Sequence, residues 1–294
     1  MSEPAVPVPA HVPPPPGTTP GTAFEALVAL MQILRGPTGC PWDREQTLDT
    51  LLPFVIEEAH EVVEAAERRD LDELKGEIGD LMFEGVFLSQ LCAERGDFTI
   101  TDALNDVRAK LVRRHPHVFA PDAATADVTT PQAVLTQWDA IKVAERAEKG
   151  RERKGHLDGV PDGLAALLRA ARISSKAAKV GFDWPSSAQV LEKIDEETAE
   201  VRAALAEGDD AHVAEEIGDL LFAVSNLARK LGHEPEALLR AAIRKFAGRF
   251  RAMEARLAEA GTPVGTEAAT LDVMEAAWQL CKAQTDKAQP GTER

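Results

Sequence analysis

The sequence predicts an all-α protein built from two homologous helical-bundle halves. Three observations carry that prediction: a composition poor in strand formers, apolar residues at helical spacing, and acidic motifs that occur twice. Tyr is absent and aromatic residues make up 5% of the chain, while Ala, Leu, Glu, Lys and Arg abound; strands draw on β-branched and aromatic side chains. With 294 residues, 44% of them hydrophobic, the chain can bury one large core or two medium ones.

Residues 1–22 hold eight of the 19 prolines and little that could pack, so they read as a disordered, polyproline-like tail. The first half follows, over 23–150. Its first helix, from residue 24, carries the stripe Phe24, Leu27, Val28, Leu30, Met31 and Leu34, and the turn GPTGCPWD closes it. Further helices are expected over 48–68, 71–95, 99–113 and 131–148, with a loop near 120–130. A charged, Gly-rich stretch without periodicity makes 151–163 a linker. The second half, 164–286, is expected to form helices over 164–180, 188–207, 209–231, 235–260 and 267–284, before a short disordered tail at 287–294.

The repeat fixes this organisation. IEEAHEV at 56–62 recurs in character as DEETAEV at 195–201, and GEIGDLMF at 76–83 recurs as EEIGDLLF at 215–222, both at the same offset along the chain. Glu57, Glu58, Glu61, Glu77 and Asp80 therefore map to Glu196, Glu197, Glu200, Glu216 and Asp219. Five acidic coincidences at one offset arise by chance roughly once in ten thousand trials, so duplication is the better explanation.

Spacing gives these residues chemical meaning. Glu58 and Glu61 lie i, i+3 on one helix face, Glu77 and Asp80 repeat that geometry on the next, and the ERRDLDEL segment between them supplies turn and cap residues for an antiparallel hairpin. Four converging carboxylates repel one another unless a divalent cation relieves them, and an all-oxygen ligand set suits Mg or Mn rather than Zn.

Composition narrows the function classes. A formal net charge of -16 argues against binding a nucleic acid polymer, though not against a phosphorylated small molecule that arrives with its cation. Cys40, Cys92 and Cys281 lack metal or disulfide spacing, and there is neither a secretory leader nor an apolar run near roughly 18 residues, so a cytoplasmic protein with no membrane partner is expected.

EExxE followed by ExxD on the next helix resembles the MazG family of all-α nucleoside triphosphate pyrophosphohydrolases. The likeness extends over 24–284 and includes GCPWDREQT (39–47), RRHPHVFA (113–120), QWDAIK (137–142), VGFDW (180–184) and AWQLCK (277–282). It implies Mg-dependent hydrolysis of a nucleoside triphosphate to monophosphate and pyrophosphate by a helical bundle that forms a homodimer, with removal of unwanted nucleotides as its purpose. Carried over by position, it implies metal ligands Glu58, Glu61, Glu77 and Asp80 in the first half and Glu197, Glu200, Glu216 and Asp219 in the second. Substrate contacts would be Lys110, Arg114, Trp138 and Lys142 in the first half, and Lys193, Lys245, Arg249, Trp278 and Lys282 in the second. The Lys110–Lys245 offset is slightly shorter than that of the acidic repeat and the Trp138–Trp278 offset slightly longer, so small insertions or deletions separate these positions from it.

Glu57 or Glu196 could orient the attacking water; spacing does not choose between them. Trp42 and Trp184 could wall a nucleotide pocket or pack on the hairpin. His60 has Ala199 opposite it in the repeat and reads as a bystander, and His115 and His117 lack counterparts. A di-iron carboxylate bundle would need ExxH pairs that do not recur. The rival of a different class is a non-catalytic helical module that binds a metal or a partner, with one or both repeats inactive.

Overall fold

The structure, a computed structural model, describes residues 18–121, 128–148 and 155–288, without the side chains of 146, 147 and 285–288. Residues 1–17 and 289–294 of the two predicted tails, 122–127 of the predicted loop and 151–154 of the predicted linker lie outside the described residues. The described residues form α-helices and turns, with no strand among them. The chain divides after Glu148 into two compact units, which correspond to the tandem halves. None of the described helices is long and apolar enough to cross a membrane.

In the first unit, α1 (Pro20–Leu34) is followed by the short α2 (Pro41–Glu45) and the hairpin helices α3 (Leu48–Arg68) and α4 (Leu71–Glu94). α5 (Ile100–Arg114), α6 (Pro116–Phe119) and α7 (Pro131–Glu148) complete it. The second unit runs α8 (Ala166–Ala178), α9 (Ser187–Glu207), α10 (Asp210–Lys230), α11 (Pro235–Glu259) and α12 (Leu271–Ala288). α9 starts and ends at the repeat offset from α3, and α10 starts at the same offset from α4. α10 is three residues shorter than α4, which brings α11 closer to α5 in numbering, while α12 lies slightly further from α7 than the repeat offset. The altered offsets of the Lys110–Lys245 and Trp138–Trp278 pairs thus record one shortened helix end, and a lengthening later in the unit.

Several boundaries differ from the sequence reading, each for a local reason. α1 begins at Pro20, inside the stretch assigned to the tail, because Thr19 and Thr22 cap each other and Pro at the first position gives up no hydrogen bond. Pro41 starts a helical turn inside the GPTGCPWD segment in the same way. Pro116 breaks the first unit's helix into α5 and α6 where α11 runs on for 25 residues. α12 begins at Leu271 rather than 267, behind Thr270, and continues to Ala288, past the expected start of the C-terminal tail.

The hairpins are the scaffold of both units. Thr47 caps α3 and Asp70 caps α4; Ser186 and Asp209 do the same for α9 and α10. Arg69 and Gly208, both in the left-handed conformation at the two hairpin turns, let the chain reverse. α1 packs on α4, and α8 on α10, where the buried Ser225 hydroxyl donates to the Leu167 carbonyl at 3.0 Å. Met31, Leu51, Val86, Phe87 and Leu91 form the first core, towards the C-terminal end of α4, with Phe24, Leu27 and Val28 against it. Leu30, predicted for the buried stripe, is about half exposed. In the second unit Met253, Leu257, Ala277 and Cys281 join α11 to α12.

Charge clamps tie the far ends of the hairpins to the segments before them. Arg35, just past α1, makes a bidentate pair with Glu94 at 2.6 and 2.7 Å and also donates to the Asp43 carbonyl; the pair holds Glu94 below its ordinary pKa. The second unit reverses the polarity. Asp183, in the loop after α8, accepts from Arg229 and from Lys230 at the end of α10, and although burial opposes it these cations keep its pKa low.

Phe87 is 1% exposed at the centre of the first core, so Phe87→Ala should cost about 3–5 kcal/mol of that unit's stability, read from chemical denaturation. A loss under about 1 kcal/mol would contradict the packing described.

Candidate metal centres and phosphate arms

Each hairpin draws its carboxylates together around the middle of its first helix. In the first unit, ligand-capable oxygens of Glu58, Glu77 and Asp80 lie within 4.8 Å of one another, and Glu61 is within hydrogen-bonding reach of Glu77. In the second unit the trio is Glu197, Glu200 and Glu216. Asp219 falls outside it, one turn beyond Glu216 on the exposed side of α10. Three of the four expected ligands therefore meet in each unit, although not the same three. Glu57 and Glu196, the expected water-orienting residues, are exposed next to them.

The two clusters balance their charge differently. Burial raises the Glu58 pKa, and Glu61, Asp80, Glu77 and Glu84 raise it further; Glu77 is raised by burial and then by Glu61 and Asp80. One oxygen of Glu58, Oε2, is buried with no hydrogen-bond partner. A carboxylate oxygen in that position is stable only with a proton or a cation, so this donor set fits a hard divalent ion. In the second unit, Lys193 Nζ lies 2.8 Å from both Glu196 Oε1 and the nearly buried Glu197 Oε1, and those bonds raise the lysine's pKa. His212 Nε2 lies 3.0 Å from Glu216 Oε1; burial disfavours its charged form, but Glu216, Glu207 and Asp209 outweigh that and raise its pKa. The pKa of Glu200 remains raised, through burial first and then Glu216.

Sequence reasoning missed Glu84, His212 and Glu145. Glu84, one turn beyond Asp80 in the apolar LMFEGVF run, is 9% exposed with an unpartnered Oε2. A lone acid inside such a run was a readable signal. The hairpins are also less enclosed than their apolar sequences suggested: Ile78, Met82, Leu221 and Phe222 are all at least 40% exposed.

Lys193, an expected substrate residue, thus sits within the acidic cluster, and the other expected substrate residues lie along α5/α7 and α11/α12. Lys142 Nζ stands 5.7 Å from the centre of the Trp138 ring, and His115 meets that ring edge-on at 4.9 Å. His117 bonds Gln137 at 2.9 Å, so both histidines buttress this helix pair. Arg114 donates to Glu145 at 2.6 and 3.1 Å, and Arg113 donates to the same carboxylate at 2.7 Å; their bonds, led by those of Arg114, lower the Glu145 pKa from 4.5 to about 2 against the effect of burial. Arg114, expected to hold phosphate, is thus committed to a carboxylate, and Lys110 is exposed near it.

In the second unit, Leu238, Arg244, Lys245, Gly248 and Arg249 line an open groove of about 710 Å³. Phe246 packs on Trp278 at 5.2 Å, Trp278 also leans on the α11/α12 core, and Lys282 is exposed a turn further on. The hairpin helices make their most extensive contacts with each other, α3 with α4 and α9 with α10, while α5 meets α4 and α11 meets α8 and α10. Trp42 is half exposed and edge-on to Phe54 at 5.7 Å, whereas Trp184 shares a 310 Å³ pocket with Phe182 and Asp183.

Twin helical hairpins that present carboxylate trios, accompanied by basic and aromatic arms, define an all-α protein of two tandem hairpin units. Residues 46–119 and 186–252 each match the model of the MazG nucleotide pyrophosphohydrolase domain. The chain is 44% identical over 264 residues to the nucleoside triphosphate pyrophosphohydrolase of Escherichia coli (strain K12), covering 89% of this chain and 97% of that protein. It is 40% identical over 262 residues to the nucleoside triphosphate pyrophosphohydrolase/pyrophosphatase MazG of Thermotoga maritima, covering 89% and 96%. The chain belongs to the MazG family.

The Glu145 clamp has a signed pH dependence. A carboxylate whose folded pKa is depressed contributes stability that is complete above its unfolded value, near 4.5, and is lost as the pH falls towards 2. Glu145→Gln should therefore destabilise the first unit by roughly 1–2 kcal/mol at pH 7 and by much less near pH 2, measured by urea unfolding. An undiminished difference at pH 2 would contradict the clamp.

Proposed function

We propose that this MazG-family nucleoside triphosphate pyrophosphohydrolase cleaves ribo- and deoxyribonucleoside triphosphates between the α- and β-phosphates. Water adds to the α-phosphorus, the bond to the bridging oxygen breaks, and nucleoside monophosphate and pyrophosphate leave. The observation that carries this reading is the pair of carboxylate trios, one on each hairpin. The proposed cofactor is Mg, for which Mn can substitute; when bound it neutralises triphosphate charge and activates water for attack.

The chain's own residues divide the remaining work. Glu197, Glu200, Glu216 and Asp219 would hold the cation in the second unit, and Glu58, Glu61, Glu77 and Asp80 in the first. Glu196, held by Lys193, would orient the attacking water and accept its proton; Glu57 is its counterpart in the first unit. Lys193 would exchange its carboxylates for phosphate oxygens as the triphosphate arrives. Lys245, Arg249 and Lys282 would offset the charge of the pyrophosphate group, and Trp278 would offer an aromatic surface to the base, with Lys110, Arg114, Lys142 and Trp138 in the matching roles.

The arms meet the hairpin of their own unit far less extensively than the hairpin helices meet each other, and a homodimer in which the partner supplies a second wall would enclose the site. The exposed Leu238, Leu239, Ile243 and Phe246 on α11 give such an association an apolar surface. Nucleotide housecleaning in the cytoplasm is the corresponding physiological role. One observation favours a second reading for the first unit alone, as a binding module without turnover: its Arg113 and Arg114 are occupied by Glu145, whereas Thr285 stands at the matching place in α12, at the offset that relates the two Trp residues.

Hydrolysis in ¹⁸O-labelled water, followed by phosphorus NMR, tests the chemistry. Label in the monophosphate and none in the pyrophosphate is expected, with turnover dependent on Mg and reduced at least about a hundredfold when Glu77→Gln and Glu216→Gln are combined. Label in the pyrophosphate, or release of diphosphate and orthophosphate, would refute the cleavage position.

A further inference from the structure

We propose that the first unit holds a divalent cation in the absence of nucleotide, in a pocket to which Glu84 contributes an additional carboxylate, whereas the second unit takes up its cation only together with a triphosphate. This rests on the divalent-cation reading above and extends it to a division of labour between the repeats.

The argument begins with what stands at equivalent positions. At the offset that relates the acidic motifs, Phe54 is the counterpart of Lys193, Glu73 of His212 and Glu84 of Ala223. Both side chains that lend positive charge to the second cluster are therefore replaced in the first, one by an apolar ring and the other by an acid, and a further acid is added. Phe54 packs against the first core, so it brings no charge. Glu73 is taken up by Arg68, which also contacts Glu64 and Asp70 at the hairpin turn, and Lys75 pairs with Asp72.

Glu84 turns the first acidic cluster into more than a group of neighbouring acids. Its side chain is about nine-tenths buried, its Oε2 has no partner, and it interacts electrostatically with Asp80 on its own helix and with Glu58 across the hairpin. Glu58 Oε2, the other orphaned oxygen, belongs to the trio itself. Two buried, unsatisfied carboxylate oxygens, one within the trio and one on a residue that interacts with Glu58 and Asp80, ask for a cation from solution. In the second unit a cation arriving alone must displace Lys193 from Glu197 and His212 from Glu216. Bound triphosphate changes that balance, since its oxygens can take both the lysine and the incoming cation.

Mn(II) binding to the full chain, followed by electron paramagnetic resonance of the free ion, tests the proposal. Without nucleotide one tight site is expected; Glu84→Gln should weaken it about ten- to a hundredfold, and Glu216→Gln should leave it unchanged. A non-hydrolysable α,β-methylene triphosphate should add a second site that Glu216→Gln removes. If circular dichroism shows Glu84→Gln to be misfolded, Glu77→Gln on the more open side of the pocket should abolish the nucleotide-independent site. Two equal sites without nucleotide, no site without it, or a nucleotide-independent site lost in Glu216→Gln but kept in Glu84→Gln and Glu77→Gln would overturn the proposal while leaving the cation reading standing. Absence of Mn binding in both conditions would overturn both.

Discussion

Carboxylates brought together at the surface of a helical hairpin repel one another, and the remaining structure holds them there against that repulsion. The hairpin helices are capped at their starts by Thr47, Asp70, Ser186 and Asp209, and the Arg35–Glu94 and Asp183–Arg229 pairs clamp their far ends. The first unit's apolar core lies toward that clamped end, around Phe87 and Leu91, and the carboxylates stand nearer the middle of the hairpin. Stability generated in the core and at the clamped ends offsets the mutual repulsion of the carboxylates.

The two repeats answer the same electrostatic constraint in different ways. In the second, Lys193 and His212 supply positive charge from the protein, and the basic groove along α11 adds more at a distance. In the first, burial and an additional acid sharpen the demand, and the nearby arginines are engaged by Glu145. Duplication preserved the carboxylates and let their surroundings diverge, so the repeats share a scaffold without sharing an electrostatic state.

The hairpins were legible in the sequence almost to the residue, because caps, turn residues and periodicity agree there: α3 spans the predicted 48–68, and α4 and α9 fall within a residue of expectation. The short helices α2 and α6 were not, since a single turn opened by Pro41 or Pro116 carries no periodicity. The carboxylate trios followed from i, i+3 spacing, but their membership did not, because the exclusion of Asp219 depends on side-chain placement. The engagement of Arg114 by Glu145 joins positions far apart in sequence and on separate helices, and no local pattern announces such a contact. Leu30 is exposed for a related reason: periodicity says which residues share a face, and tertiary packing decides whether that face is covered.

The central claim is that both acidic trios are divalent-cation sites. Anomalous scattering from crystals grown with Mn(II) and a non-hydrolysable triphosphate would test it most directly. The account predicts one peak within coordination distance of Glu58, Glu77 and Asp80 and another at Glu197, Glu200 and Glu216. Well-ordered nucleotide with no anomalous peak at either trio would contradict it.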